Sequence, residues 1–283
     1  MTTSAPRAAG ADLAAEFGTY APRGLTALAI CAIRALPWRW PARRLAALAR
    51  LAISRGRQRF IDVEVHGNRM RLAVLGNACD RNALFLPRFQ DPVLRAALAR
   101  ALPSGGTFVD VGANVGLFTV NAAALVGPTG RVLAIEPQPD IQARLTANIA
   151  ANDFRHVALV ACAVGDGEGT LTLHLGNNAG EASLNPGMAG ASGKTINVAV
   201  RPLADIVRDA ALDRIDALKI DVEGLEDRIL APFFATVDQS LWPRMIAIEY
   251  SPHAWATDIV AHMRDLGYRV ADDSTMNWIL VRD

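Results

Sequence analysis

The chain has 283 residues, of which 51% are hydrophobic and 20% charged, and this composition excludes general disorder. Its three cysteines are far apart and odd in number, which argues against a disulfide framework or a zinc cluster and favours the reducing cytoplasm. The net charge of +1 divides into +8 over residues 1–60 and −7 over residues 61–283, and an acidic main part argues against a nucleic-acid partner.

Residues 1–59 are predicted to form a basic helical extension. Their apolar run from Gly24 to Ile33 spans ten residues, whereas a membrane-spanning helix needs about 20, and residues 1–23 lack the layout of an export signal. Helices are predicted over Leu25–Leu36 and, after Pro41, up to Ile53, the second with an apolar stripe between arginines. Two interpretations of residues 24–59 stay open: a cap packed on the main part or on another subunit, and a contact with a membrane surface.

Residues 60–84 are predicted to form a β-hairpin that leads into the core. Apolar and polar residues alternate from Ile61 to Val65 and from Met70 to Val74, and Gly67-Asn68 supplies the turn. Asp91 is expected to cap a helix that begins at Pro92 and ends near Leu102.

The remainder of the chain is predicted to alternate between strands and helices. Strands are expected at 107–111, 131–135, 157–162, 170–175, 196–200, 217–220 and 245–248, with helices at 115–126, 138–152, from 225 and at 257–266. This alternation predicts a mainly parallel α/β sheet. Strands 268–271 and 277–281 are joined by five residues, too few for a parallel crossover, so the last strand must be antiparallel.

The strongest motif is FVDVGANVG, residues 108–116, in which an apolar strand ends at Asp110 and a turn of small residues opens a helix. Small residues let a ligand approach the backbone, and amide groups at a helix start favour a negative group. Glu136 follows the next strand, where an acid can accept hydrogen bonds from both hydroxyls of a ribose. Asn114 and Leu117 replace the second and third glycines of the dinucleotide fingerprint, which therefore fails.

Five segments, in this order and spacing, resemble the FkbM family of S-adenosylmethionine-dependent methyltransferases over residues 85–282. They are FVDVGANVG, VLAIEPQP from Val132, Asn148 with Asn152, AVGDGEGTL from Ala163 and IDALKIDVEGLE from Ile215. The resemblance implies a Rossmann-like seven-stranded methyltransferase sheet with an antiparallel last strand, in a domain taken as residues 85–283. The first 60 residues lie outside this core, and LPRFQDP from Leu86 lacks the Glu often found before the first strand.

The same resemblance implies which residues bind S-adenosylmethionine. Those around its methionine part would be Asp110, Gly112, Ala113, Asn114 and Gly116, with Glu136 and Pro137 at the ribose. The turn from Ala163 to Asp166 would contact the adenine, although Asp166 could equally be a solvated turn residue.

Methyl transfer is an in-line displacement, so a group that takes the proton of the acceptor is expected at the carboxyl ends of the central strands. Asp221 is the first candidate for this catalytic role, with Glu223 and His253 next. Lys219, Asp221 and Glu249 could instead form a structural salt-bridge network. Asp221 with Glu249 would also suit a divalent cation, but no metal site is predicted, and no histidine spacing supports zinc.

The resemblance implies an S-adenosylmethionine-dependent O-methyltransferase that acts on a hydroxyl of a small molecule, sugar or other natural product, and the cysteine content favours a cytoplasmic location. Residues 176–194, rich in Gly, Asn, Ala and Ser, are either a lid over the acceptor or a plain surface loop. Two alternative functions stay open: an NAD-dependent oxidoreductase, and a non-catalytic cofactor-binding protein at the membrane periphery.

Overall fold

The structure, a computed structural model, describes residues 12–36, 40–55, 59–75, 78–176, 182–183, 194–222, 224–249, 253–273 and 276–282. Its first elements are the helices α1 (Gly24–Ala35) and α2 (Trp40–Ser54), the antiparallel strands β1 (Phe60–Val65) and β2 (Asn68–Ala73), and the helix α3 (Ala78–Phe85). The predicted hairpin is present, but its turn lies at His66-Gly67, one residue earlier than expected. Both turn residues have positive φ, as tight hairpins favour.

The chain continues through α4 (Pro92–Ala101), β3 (Thr107–Val111), α5 (Leu117–Val126), β4 (Arg131–Ile135), α6 (Pro139–Ala151), β5 (Val157–Val160), β6 (Ala163–Gly165), β7 (Gly169–Leu175), β8 (Ala182–Ser183) and β9 (Thr195–Pro202). It ends with α7 (Leu203–Asp209), β10 (Ala217–Ile220), α8 (Glu226–Thr236), β11 (Met245–Glu249), α9 (Ile259–Asp265), β12 (Arg269–Asp273) and β13 (Asn277–Val281). Asp91 caps α4 as predicted, since its side chain accepts a hydrogen bond from the Leu94 amide.

Seven strands form the main sheet, in the order β12-β13-β11-β10-β3-β4-β5. Strands β11, β10, β3, β4 and β5 pair in parallel, and β13 runs antiparallel to both β11 and β12. The α/β fold with an antiparallel last strand is therefore confirmed. Because β3, β4 and β10 are parallel neighbours, their carboxyl ends meet at one edge of the sheet, where open α/β sheets bind ligands.

Two of the predicted strands lie outside this sheet. Strands β7 and β9 pair antiparallel in a separate four-stranded sheet of order β6-β9-β7-β8. The alternating pattern predicted one mainly parallel sheet, but no helix separates β7 from β9 among the described residues, so the two strands pair with each other. The strand expected at 157–162 ends at Val160. Cys162 is buried in the core directly before β6 and does not continue the strand.

Apolar side chains fill both faces of the main sheet. Val109, Leu218 and Ile246 point to one side, into a cluster with residues of α7, α8 and α9. Phe108 and Ala217 point to the other side, against α4 and α5. This two-faced burial is typical of parallel sheets covered by helices.

Side chains from α6 join the hairpin to the main sheet. The Asn148 amide oxygen accepts a hydrogen bond from the Arg71 amide at 2.7 Å, while its amide nitrogen donates to the Val115 carbonyl at 2.8 Å. Asn152, one turn later, exchanges two hydrogen bonds with the backbone of Arg69. The division of the chain into residues 1–59, 60–84 and 85–283 stays a prediction. The contacts of Asn148 and Asn152 join the second of these segments to the third.

The segment before α1 is held to the hairpin by a buried ion pair. The Arg71 guanidinium contacts both carboxylate oxygens of Asp62 at 2.8 and 3.0 Å, and its remaining donors bind backbone carbonyls of residues 12–16. In the part of the chain that the structure describes, no helix is long and apolar enough to cross a membrane.

Candidate functional site

The carboxyl ends of β3 and β10 touch at Gly112. Gly112 has φ of +76°, and a Cβ atom there would lie 2.1 Å from the carbonyl oxygen of Asp221. The Gly112 and Ala113 amides both donate to the Ile135 carbonyl at 3.0 Å, which holds the turn against the end of β4. Only glycine fits this position, because both the conformation and the space exclude a side chain.

Glu136 is buried directly after β4 and is tied to the same turn. One carboxylate oxygen accepts a hydrogen bond from the Asn114 amide at 3.0 Å, and the other accepts from the Gln138 amide at 2.9 Å. Burial raises the pKa of the Glu136 carboxyl to about 7, an effect that these two amides only partly offset. The carboxyl can therefore change its charge near neutral pH.

The turn between β3 and α5 has a conformation that its sequence explains. Asn114 has φ of +51°, and its side-chain oxygen accepts from the Val115 amide at 2.8 Å. Gly116 has φ of +90° at the start of α5, and a Cβ atom there would lie 2.4 Å from a methyl carbon of Leu145. Gly116 thus lets the chain enter α5 in close contact with Leu145, and the amino terminus of a helix is a position that favours negative groups.

A lysine and two aspartates form a charged group between β3 and β10. Lys219 pairs in register with Asp110, and its ammonium lies 3.0 Å from the Asp221 carboxylate and 4.0 Å from that of Asp110. Lys219 and Asp110 are buried, whereas the Asp221 side chain is 40% exposed. Burial would lower the pKa of the Lys219 ammonium, but the charges of Asp221 and Asp110 outweigh it and raise that pKa.

Asp110 keeps one carboxylate oxygen without a hydrogen-bond partner. The other oxygen accepts from the Thr119 hydroxyl at 2.6 Å, while Oδ1 is buried and has only the Lys219 ammonium at 4.0 Å among the described residues. Burial raises the pKa of the Asp110 carboxyl, although Lys219 opposes the change. A buried acceptor without a donor at the end of β3 fits a site that receives a hydrogen-bonding ligand.

Two acids at the start of α8 position the loop after β10. Glu226 is fully buried: one oxygen accepts from the Val222 and Gly224 amides, and the other accepts from the Trp255 indole at 2.7 Å. Asp227 accepts from the amides of residues 256 and 257 at 2.8 and 3.0 Å. These contacts fix the loops that follow β10 and β11 side by side. Sequence reasoning missed this role, although two acids in the first turn of a helix after a glycine loop were a usable signal.

The other predicted site residues are more dispersed. His253 is exposed, next to Ala254, whose Cβ would lie 2.4 Å from a Cβ on Gly224. Glu223 lies outside the described residues, as does nearly all of the predicted lid at 176–194. Pro137 is half-buried beside Glu136. Thus the structure brings Asp110, Gly112 and Asp221 together, whereas His253 is exposed.

Ala163 and Asp166 belong to the second sheet and the turn that follows β6. The Asp166 carboxylate is bound by the Arg228 guanidinium of α8 at 2.6 and 3.1 Å, and this hydrogen bonding lowers its pKa. Asp166 is therefore engaged on the surface, which supports neither of its two predicted roles over the other. No group of three metal-ligating side chains occurs within the described ranges.

Comparison with known proteins gives consistent matches. A family model described as the methyltransferase FkbM domain matches residues 110–270. Methyltransferase sdnD of Sordaria araneosa is 30% identical over 204 residues, which cover 61% of this chain and 77% of that protein. The 31-O-demethyl-FK506 methyltransferase FkbM of Streptomyces tacrolimicus is 29% identical over 200 residues, covering 60% and 75%.

Among solved structures, a methyltransferase FkbM from Methylobacillus flagellatus KT is similar with a TM-score of 0.42 and 17% sequence identity, covering 64% of this chain and 44% of that one. The family matches confirm the resemblance stated from the sequence motifs. They do not favour the NAD-dependent oxidoreductase or the non-catalytic protein that the motifs left open.

Proposed function

Because the chain belongs to the FkbM methyltransferase family, we propose that it transfers a methyl group from S-adenosylmethionine to a hydroxyl oxygen of a small-molecule or glycan acceptor. The observation that carries this proposal is the meeting of the Gly112 turn, Glu136 and Asp221 at one edge of the sheet. One relative is a 31-O-demethyl-FK506 methyltransferase, a name that specifies an oxygen as the methylated atom, which supports the same chemistry here.

The residues of this edge fit the proposed cofactor. Gly112 leaves a space that a Cβ atom would fill, and Asp110 has a buried oxygen that needs a donor. Asp110, Gly112, Ala113, Asn114 and Gly116 would hold the methionine part, Glu136 and Pro137 the ribose, and Ala163 and Asp166 the adenine side. When bound, S-adenosylmethionine supplies an electrophilic methyl group on a sulfonium.

In this proposal, Asp221 orients the acceptor and takes its proton. Lys219 holds the Asp221 carboxylate at 3.0 Å, which fixes its position, while the partial exposure of Asp221 leaves it accessible to an acceptor. The carboxylate would accept a hydrogen bond from the acceptor hydroxyl and would receive its proton as the methyl carbon passes from the sulfonium sulfur, which leaves as a thioether, to the hydroxyl oxygen. Glu223 and His253 are the second candidates for this role.

Asp221→Asn tests the assignment. The amide keeps the shape of the side chain but cannot take a proton, so we expect kcat to fall at least about 100-fold with a cofactor dissociation constant changed less than about threefold. The matched control is Asp209→Asn, which also removes a carboxylate that takes part in an ion pair, in this case with Arg201 at a surface position. We expect the control to change kcat by less than about twofold. If Asp221→Asn keeps more than about a third of kcat, Asp221 is not the proton acceptor, and Glu223→Gln and His253→Ala become the decisive variants.

A further inference from the structure

The exposed face of α1 is entirely apolar. After Gly24, the exposed residues of this helix are Leu25, Leu28, Cys31, Ala32 and Ala35. Four of them follow the i, i+3, i+7, i+10 spacing that places side chains on one side of a helix. The opposite side is apolar as well, since Ile30 and Ile33 are buried against the hairpin and α3.

The one charged side chain of α1 points away from this exposed face. The Arg34 guanidinium donates to the Leu84 carbonyl at 2.8 Å and to the Glu64 carbonyl at 2.9 Å. Arg34 is therefore held by backbone carbonyls of α3 and β1 and does not make the exposed face of α1 polar. An exposed helix face without a polar side chain is unusual unless it has a partner.

The neighbouring helix α2 continues the apolar surface and adds positive charge. Leu45, Leu48 and Leu51 are exposed, and these three with Leu25 and Leu28 have relative exposures between 48% and 85%. Ala49 and Ile53 pack on the same buried cluster as α1, so the leucines of both helices face away from that cluster. We call these five exposed leucines the leucine face.

The segment that carries the leucine face has charges of one sign. Residues 24–59 contain eight arginines and no acidic residue, and Arg44 and Arg55 are exposed beside the leucines of α2. A second copy docked symmetrically would place these like-charged segments against each other, which is unfavourable. An anionic surface that also accepts apolar side chains matches both properties.

We propose that the leucine face docks the protein onto the surface of an anionic lipid bilayer, with the leucines at the acyl boundary and the arginines at the headgroups. The helices lie along the surface and do not cross it, because each is too short and its other face is packed on the hairpin. This inference is independent of the proposed methyl transfer.

Co-sedimentation of the full chain with vesicles tests the proposal. We expect the protein to sediment with mixed phosphatidylcholine and phosphatidylglycerol vesicles at low salt, to stay in solution with phosphatidylcholine alone, and to be released by high salt. Arg44→Gln with Arg55→Gln should weaken binding about 25-fold, at about fivefold per arginine. Leu28→Ser with Leu48→Ser should weaken it at least about tenfold.

Matched controls remove the same chemistry elsewhere. Arg155→Gln with Arg264→Gln takes two exposed positive charges from the main part, and Met276→Ser takes an exposed apolar side chain. Both should bind vesicles within about twofold of the unmodified chain. Thermal denaturation of every variant verifies that it is folded.

A second measurement needs no substitution. Cys31 is exposed on α1, while Cys162 is buried and burial raises the pKa of the Cys79 thiol to about 12, so a thiol-reactive fluorophore labels Cys31 first. Its emission should shift to shorter wavelength with anionic vesicles only. Failure of the unmodified chain to bind these vesicles, or unchanged binding of the leucine variant, would overturn the proposal. If the unmodified chain does not bind vesicles but is a dimer in sedimentation velocity, and the leucine variant is a monomer, the leucine face binds a second copy of the chain.

Discussion

Replacing Gly112 with alanine adds one methyl group where the turn after β3 meets the end of β10. The new Cβ would lie 2.1 Å from the Asp221 carbonyl oxygen, so the two loops must separate by about an ångström to restore ordinary contact. The positive φ of +76° adds a conformational cost of about 1–2 kcal/mol for a residue with a side chain. A displacement of this size at a reacting centre can lower the rate about 100-fold.

Gly105→Ala separates the conformational cost of a positive φ from the steric contact with Asp221. Gly105 has nearly the same φ, +75°, but a Cβ atom there meets only the Thr129 hydroxyl at 3.5 Å, an ordinary contact. Titration calorimetry with S-adenosylmethionine and with its demethylated product measures affinity for each variant. We expect Gly112→Ala to bind at least about tenfold more weakly than Gly105→Ala, while the two lose comparable stability from their backbone conformation.

Equal affinity of Gly112→Ala and Gly105→Ala for S-adenosylmethionine would contradict this prediction. That result would mean that the contact between Gly112 and Asp221 can open without disturbing the cofactor site. A fall in stability alone, equal in both variants, would assign Gly112 a purely conformational role.

Three further predictions concern stability. Burial raises the pKa of the Glu136 carboxyl from 4.5 to about 7. The contribution of this group to the stability of the fold is therefore complete below pH 4.5 and is lost as the pH rises through 7. In urea unfolding, Glu136→Gln should remove about 3 kcal/mol of the change in unfolding free energy across this pH range. Lys219→Met leaves Asp110 buried without a positive partner and should lower the free energy of unfolding by about 3 kcal/mol. Adding Asp110→Asn should restore at least half of this loss. A double variant as unstable as Lys219→Met alone would contradict the pairing of Lys219 with Asp110. Asn148→Ala breaks two buried hydrogen bonds and should lower the free energy of unfolding by about 2 kcal/mol. The same change at the more exposed Asn152 should lower it by about 1 kcal/mol. Equal losses in the two variants would argue against the buried contact of Asn148.

Local sequence patterns predicted the main sheet because each strand of it carries its own signal. The run from Phe108 to Val111 is apolar except for Asp110 and is followed by small residues, and the connection before Asn277 is too short for the last strand to run parallel. The same local logic placed Glu136 at the end of the second strand, next to the turn that it contacts.

Long-range contacts could not be predicted in this way. Asn148 and Arg71 are 77 residues apart, and Glu226 and Trp255 are 29 residues apart, so nothing in either local pattern indicates the partner. The second sheet was missed for a related reason, since strands of a similar pattern can pair in either sheet. The predicted role of Asp166 likewise depends on where the turn lies in three dimensions.

The most direct test of methyl transfer to oxygen uses S-adenosylmethionine with an isotopically labelled methyl group and a panel of hydroxylated small molecules and glycans. We predict formation of S-adenosylhomocysteine and appearance of the label as a methyl ether on one acceptor, both lost in Asp221→Asn. Formation of neither product with any acceptor, while the cofactor still binds, would contradict it. A label found on nitrogen or carbon would confirm the methyltransferase and contradict the assignment to a hydroxyl.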